Sequence, residues 1–137
     1  MRISIIAIGR LKSGSEDELF NRYFDRAKKA GRQIGFEFAG VREFPESKHP
    51  NAEMRQQDEA GKILGALSPE ATLYCLDERG EAISSQSFSR MITDLNDNGH
   101  RELTFVIGGP DGVSEKVRTR AKRVIAFGKL TYPHMIV

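Results

Sequence analysis

The sequence predicts an α/β fold in which a mostly parallel β-sheet carries helices on both faces. Short apolar runs rich in β-branched and aromatic residues alternate along the chain with longer segments of helical periodicity. One run, Leu103–Ile107, is almost entirely apolar, as expected of a strand buried on both faces. It ends in the glycine-rich turn Gly108–Gly112, and open α/β folds bind ligands at the carboxyl ends of their strands. This turn is therefore a candidate binding site, and a tight turn without a ligand is the alternative.

The first half of the chain predicts two strands, each followed by a helix. The first strand is Arg2–Ile8, and the helix after it extends from Ser15 to Gly31. One face of this helix is apolar and carries Leu19, Phe20, Tyr23, Phe24 and Ala27. The second strand is Gly35–Val41, and its helix extends from about Asn51 to Ser68. Ser15 and Glu18 have the spacing of a capping box, which predicts Ser15 as the N-cap. Glu43–Pro50 contains two prolines and is predicted to be a loop, either a solvated connection or a ligand contact.

The second half predicts three strands separated by two helices. These are a strand at Ala71–Leu76, a helix capped by Ser84 or Ser85 and ending near Gly99, the strand Leu103–Ile107, a helix from Ser114 to about Arg123, and a strand at Val124–Phe127. In a parallel sheet the turns after Leu76 and Ile107 lie at the same edge, and the segment Phe127–His134 is placed to close over both. Cys75 lies within an apolar run, which favours a core residue over a nucleophile.

Composition indicates one ordinary domain without a membrane segment. The chain has 137 residues, of which 39% are hydrophobic and 29% charged, and a net charge of +2. A charge this small says little about nucleic acid binding. The single cysteine excludes a disulfide within the chain and fits a reducing cytoplasm. No apolar run in the sequence is long enough to cross a membrane.

Several familiar sites are excluded by their spacing. Of a dinucleotide fingerprint only Gly109 and Gly112 are present, and the chain has neither the G-K-[ST] of a P-loop nor a G-x-S-x-G nucleophile turn. His49, His100 and His134 have no metal-ligand spacing among themselves or with Cys75, so no metal is expected.

The last predicted helix is strongly basic towards its end. Four cations fall within six residues: Arg118, Arg120, Lys122 and Arg123. They form either a solvated helix end, favoured by the helix dipole, or a set of contacts to RNA phosphates. No aromatic residue lies between them, so base stacking is not indicated there.

Two motifs identify a family. The chain contains VIGGPDG at Val106–Gly112 and LTYPH at Leu130–His134, with Leu76-Asp77 as a weaker third element. With these motifs in this order and spacing, it resembles the ribosomal large subunit methyltransferase H family, in the SPOUT class of S-adenosylmethionine-dependent RNA methyltransferases. The resemblance extends from the first strand to Val137. It implies a homodimer with a C-terminal trefoil knot that methylates N3 of a pseudouridine in the 23S ribosomal RNA of the assembled ribosome.

The resemblance also implies the site. The expected contacts to S-adenosylmethionine are Leu76, Gly108, Phe127, Gly128, Lys129, Leu130, Thr131 and Tyr132. His134 follows this loop and is expected to place or deprotonate the target imide, with holding the loop by a hydrogen bond as the alternative. The family continues with a further helix and a tail, so we expect residues 1–137 to be a single SPOUT domain without them, which folds but lacks part of the active site. A non-catalytic ribosome- or nucleotide-binding module on the same fold is the alternative function.

Overall fold

A computed structural model describes residues 1–128 of the chain and shows five strands and four helices in strict alternation. The elements are β1 (Arg2–Ile8), α1 (Ser15–Gln33), β2 (Glu37–Phe44), α2 (Ala52–Ala66), β3 (Thr72–Ala82), α3 (Ser85–Asp97), β4 (Glu102–Ile107), α4 (Glu115–Arg120) and β5 (Arg123–Ala126). Their order is the predicted one.

The five strands form one sheet in the order β2-β1-β4-β3-β5, and each neighbouring pair is parallel. β4 lies at the centre of this order, between β1 and β3. Its central position explains its apolar sequence, since Leu103 and Val106 are both fully buried although they point to opposite faces. The predicted parallel α/β fold is confirmed.

The two faces of the sheet carry separate hydrophobic layers. On one face, Ala60 and Ile63 of α2 and Val117 of α4 pack against alternate strand residues such as Val106. On the other, α3 packs against strand residues that include Phe105. Successive strand side chains point to opposite faces, so both layers arise from the same strands. The predicted helices on both faces are confirmed.

Helix α1 differs from its prediction at both ends. Gly14 is its N-cap, and the Ser15 hydroxyl donates to the Glu16 carboxylate at 3.1 Å, so the predicted capping box is wrong. The helix also continues past Gly31, which was predicted to end it. Gly31 is buried against the ring of Phe38, where an added Cβ would lie 2.6 Å from Cε2. This glycine allows close packing of α1 on β2, and does not end the helix.

The carboxyl end of β3 also departs from the prediction. β3 does not turn after Leu76 but continues to Ala82, with a register irregularity between Leu76 and Glu81. Both Leu76 and Glu81 pair with Ile125 of β5, so the four residues between them bulge from the ladder. An added Cβ on Gly80 would lie 2.6 Å from the Ile125 backbone, and this close approach explains the glycine.

Helix α4 is shorter than predicted. It ends at Arg120, and Ala121 is already extended, with ψ of 135°. The amide of Lys122 donates to the carbonyl of Leu73 at 2.8 Å, which draws the chain into the sheet. Strand pairing of β5 therefore begins at Arg123, a residue that was predicted to be helical.

The apolar face of α1 is only partly covered within residues 1–128. Leu19 is 49% exposed and Tyr23 is 55% exposed. Beside them, a pocket of about 540 Å³ lies between the first half of α1 and the sheet and is lined in part by Ile5, Ala7 and Ile107. Of the helices in this part of the chain, none has the length and apolar character needed to cross a membrane.

Candidate active site

The carboxyl edge of the sheet brings together the predicted cofactor contacts that the structure describes. Leu76 of β3 pairs with Ile107 of β4 on one side and with Ile125 of β5 on the other. Gly108 directly follows the first of these partners, and Phe127 stands two residues after the second. Leu76 is partly buried, Gly108 is buried, and the Phe127 side chain is 57% exposed.

The remaining predicted contacts follow this edge in the chain. Gly128 comes directly after Phe127 and has φ of +134°, in the region that favours glycine. Lys129, Leu130, Thr131, Tyr132 and His134 lie outside the described residues. Their roles stay predictions.

The glycine-rich turn is closely packed. A Cβ on Gly108 would lie 2.8 Å from Cγ1 of Val113 and 3.1 Å from the carbonyl carbon of Gly112. Gly112 has φ of +75° and donates its amide to the Gly109 carbonyl at 2.9 Å. Gly108 is therefore needed for space and Gly112 for its backbone conformation.

Helix α2 holds this turn through Asp111. The Arg55 guanidinium donates from Nε to Oδ2 of Asp111 at 2.6 Å and from Nη2 to Oδ1 at 2.9 Å. Gln56 donates to the Asp111 carbonyl at 2.6 Å. The hydrogen bond from Arg55 keeps the pKa of Asp111 below its ordinary value. These α2 residues were missed in the sequence, because no local pattern relates positions 56 residues apart.

A buried carboxylate lies next to the same turn. Glu59 of α2 is only 4% exposed and accepts a hydrogen bond from the Ser47 amide at 2.9 Å. A Cβ on Gly109 would lie 3.4 Å from Glu59 Oε2. Burial raises the pKa of Glu59, the charge of Asp111 raises it further, and the Ser47 amide acts in the opposite direction. Glu59 thus binds the loop after β2 and lies next to Gly109 of the turn.

A second ion-pair network lies in β3, where its pairing with β5 is interrupted after Leu76. Asp77, which directly follows Leu76, has a side chain only 2% exposed. It accepts from the Arg79 backbone amide at 2.9 Å and from Arg79 Nε at 2.9 Å, and Nη1 of Arg118 lies 3.8 Å away. Burial alone would raise the pKa of Asp77, but these hydrogen bonds and charges outweigh it and the pKa is lowered. Asp77 is therefore held as a carboxylate.

The structure does not gather the four predicted RNA-binding cations at one place. Arg118 faces Asp77 at the carboxyl edge, whereas Arg120 donates to the carbonyl of Ala71, just before the amino end of β3. Lys122 Nζ lies 3.4 Å from Nε2 of His100. Arg123 pairs with Glu81 at 3.2 Å. Arg120, Lys122 and Arg123 are exposed, while the Arg118 side chain is only 19% exposed.

The remaining titratable candidates, Cys75 and His100, have the surroundings of structural residues. Cys75 is fully buried, and burial raises its pKa to about 12, in agreement with a core residue. His100 Nδ1 lies 2.8 Å from the Thr72 hydroxyl. Within residues 1–128, no group of three or more His, Cys, Asp or Glu side chains could hold a metal ion.

Comparison with known proteins assigns the family. The profile of a family described as predicted SPOUT methyltransferase matches residues 1–137. The chain belongs to this family of SPOUT methyltransferases. The resemblance seen in the two motifs is thereby confirmed, and the parallel sheet described above is consistent with the SPOUT fold. The trefoil knot stays a prediction.

Individual relatives within the family are similar over nearly the whole chain. A Brucella anthropi protein is 52% identical over 136 residues, which cover 99% of this chain and 85% of the relative. Proteins of Brucella ovis and Brucella melitensis are 47% and 45% identical over 145 and 150 residues, covering 99% of this chain and 86% of each relative. All three relatives are named ribosomal RNA large subunit methyltransferase H.

Proposed function

We propose that this protein uses S-adenosylmethionine to methylate N3 of a pseudouridine in the 23S ribosomal RNA of the assembled ribosome. The observation that carries the proposal is the convergence of Leu76, Gly108 and Phe127 at one edge of the sheet in a SPOUT methyltransferase. The names of its relatives support RNA of the large ribosomal subunit as the substrate. A ribosomal substrate also makes the cytoplasm the proposed place of action.

The residues at this edge fit a nucleoside-type cofactor. Leu76 and the exposed ring of Phe127 offer apolar surface for a flat base, and the backbone beside Gly108 offers polar groups that can read its edge. Lys129, Leu130, Thr131 and Tyr132 complete the proposed contact set with Gly128. The cofactor supplies an electrophilic methyl group, and the task of the protein is to hold the target nitrogen in line and to accept its proton.

His134 is the proposed residue for handling the target nitrogen. It follows the cofactor loop directly, and imidazole accepts a proton near neutral pH, as removal of an imide proton requires. We expect His134→Ala to reduce turnover on ribosomes that lack the modification by about 10²–10⁴-fold while cofactor affinity stays within about twofold. Loss of affinity would instead favour a residue that holds the loop. Unchanged turnover would exclude the proton-handling role.

We further propose that residues 1–137 form one methyltransferase domain that works as a homodimer. The exposed Leu19 and Tyr23 of α1 and the adjoining pocket support subunit contact, since large apolar patches on soluble proteins commonly mark interfaces. Sedimentation equilibrium gives the test. A monomer at all protein concentrations would contradict the proposal.

Calorimetric titration with S-adenosylmethionine, followed by methyl transfer from labelled cofactor to unmodified ribosomes, tests the proposed activity. Saturable binding with transfer to 23S RNA supports it. Binding to ribosomes without any cofactor binding would instead indicate the non-catalytic ribosome-binding module. Cofactor binding with transfer to a different RNA would overturn the substrate assignment alone.

A further inference from the structure

Arg55 joins two segments that follow the carboxyl ends of β2 and β4. Its Nε and Nη2 atoms bind the Asp111 carboxylate of the glycine-rich turn at 2.6 and 2.9 Å. Its Nη1 atom donates to the carbonyls of His49 and Pro50 at 2.8 and 3.0 Å. One guanidinium therefore connects the proline-containing segment 45–50 to the turn that follows β4.

The geometry of these four hydrogen bonds requires arginine. The planar guanidinium presents five N–H donors in a rigid fork, whereas a lysine ammonium is a point charge with three donors. A lysine at position 55 would keep the charge opposite Asp111 but could not bind a carboxylate on one edge and two carbonyls on another. The lysine variant therefore separates geometry from charge.

Helix α2 binds segment 45–50 a second time, one turn further along. Glu59 accepts the Ser47 amide of segment 45–50 and lies beside Gly109 of the turn. Residues four apart share one face of a helix, so Arg55 and Glu59 present one surface to both segments. Of the predicted loop Glu43–Pro50, Glu43 and Phe44 belong to β2, and only residues 45–50 form a loop. Helix α2 therefore holds this segment next to the glycine-rich turn.

We propose that Arg55 is a positioning residue that couples segment 45–50 to the glycine-rich turn, so that the two act as one wall of the methyl-transfer site and a ligand held at the turn orders both. The part of this inference that concerns the ligand rests on the proposed function. Arg55 acts through Asp111 and the carbonyls of His49 and Pro50.

The test compares hydrogen exchange of the wild-type protein, Arg55→Lys and Arg90→Lys, each with and without S-adenosylmethionine. Arg90 is exposed on α3 and serves as the matched arginine-to-lysine control. In Arg55→Lys we expect amide exchange to rise about tenfold in both 45–50 and 108–112 with α3 unchanged, and cofactor affinity to fall about tenfold. The control should match the wild type in every measurement.

A second variant asks whether Arg55 acts through Asp111. Asp111→Asn removes the acceptor charge, so its effect on exchange and that of Arg55→Lys should be far from additive in the double variant. Additive effects would overturn this coupling, and so would exchange that rises in one segment alone or in neither.

The two proposals can fail separately. If the wild-type protein does not bind S-adenosylmethionine, the proposed function fails, and exchange in the absence of ligand still decides the coupling. If the wild type binds and Arg55→Lys binds equally well, the positioning role is wrong while the proposed function stands.

Discussion

Nη1 of Arg118 lies 3.8 Å from the carboxylate of Asp77, across the carboxyl edge of the sheet. Arg118 also donates to the Val113 carbonyl at 2.6 Å and pairs with Glu115, so its guanidinium holds α4 against β3. This arrangement separates Arg118 from the three exposed cations that follow it in the sequence.

We therefore predict different effects for cations of the same basic cluster. The slope of log affinity for ribosomes against log salt concentration is negative. Arg120→Gln, Lys122→Gln and Arg123→Gln should each reduce its magnitude by about 0.7–0.9 for each RNA phosphate that is no longer neutralised. Arg118→Gln should leave that slope nearly unchanged and lower the melting temperature. Equal slope changes for all four variants would show that Arg118 binds RNA. No change for Arg120, Lys122 and Arg123 would leave them as a solvated surface.

Gly108→Val should abolish binding of S-adenosylmethionine. Even the first carbon of the new side chain would lie 2.8 Å from Cγ1 of Val113, and such overpacking costs about 1–3 kcal/mol and displaces the turn. Gly61→Ala in α2 is the control, since no described atom outside its own helix lies within 4 Å of the added Cβ. That change should raise the free energy of unfolding by about 0.5–1 kcal/mol. Calorimetry measures the cofactor affinity of both variants. Unchanged affinity in Gly108→Val would show that this turn is not part of the cofactor site.

Asp77 should make the free energy of unfolding depend on pH under acidic conditions. Its pKa is lower in the folded protein, so its contribution is present above the unfolded value, about 3.9, and disappears as the pH falls through the folded value. We expect Asp77→Asn to lower the free energy of unfolding by about 1–3 kcal/mol at neutral pH. Its difference from the wild type should shrink below about pH 4. Urea unfolding of both proteins across this pH range measures the difference. A difference that does not change with pH would show that the charge of Asp77 does not stabilise the fold.

Cys75 should be inert in the folded protein. Its side chain is fully buried, and burial raises its pKa to about 12, whereas the thiolate is the reactive form. Near neutral pH we expect iodoacetamide to modify it roughly a thousandfold more slowly than in the urea-unfolded chain, followed by mass spectrometry. Rapid modification without denaturant would show that β3 opens locally.

The sequence by itself determined the elements and the family. A continuous apolar run can be satisfied only where both faces are covered, so Leu103–Ile107 was recognisable as a central strand. Asn51 and Ser84 lie where helices were expected to begin, and both cap them with their side chains because such oxygens satisfy free amides in the first turn. The motifs Val106–Gly112 and Leu130–His134 are local in the chain and therefore readable before any fold is known.

Only the tertiary structure decided which distant residues meet. The packing of α1 on β2 depends on the contact between Gly31 and Phe38, and the course of β3 beyond Leu76 depends on pairing with β5. The bond between Arg55 and Asp111 joins positions 56 residues apart. Periodicity shows which face of a helix or strand is apolar, but it does not show which other helix or strand covers that face. The partners are selected by strand order and by the fit of side chains across the assembled layers, and these exist only once the chain has folded.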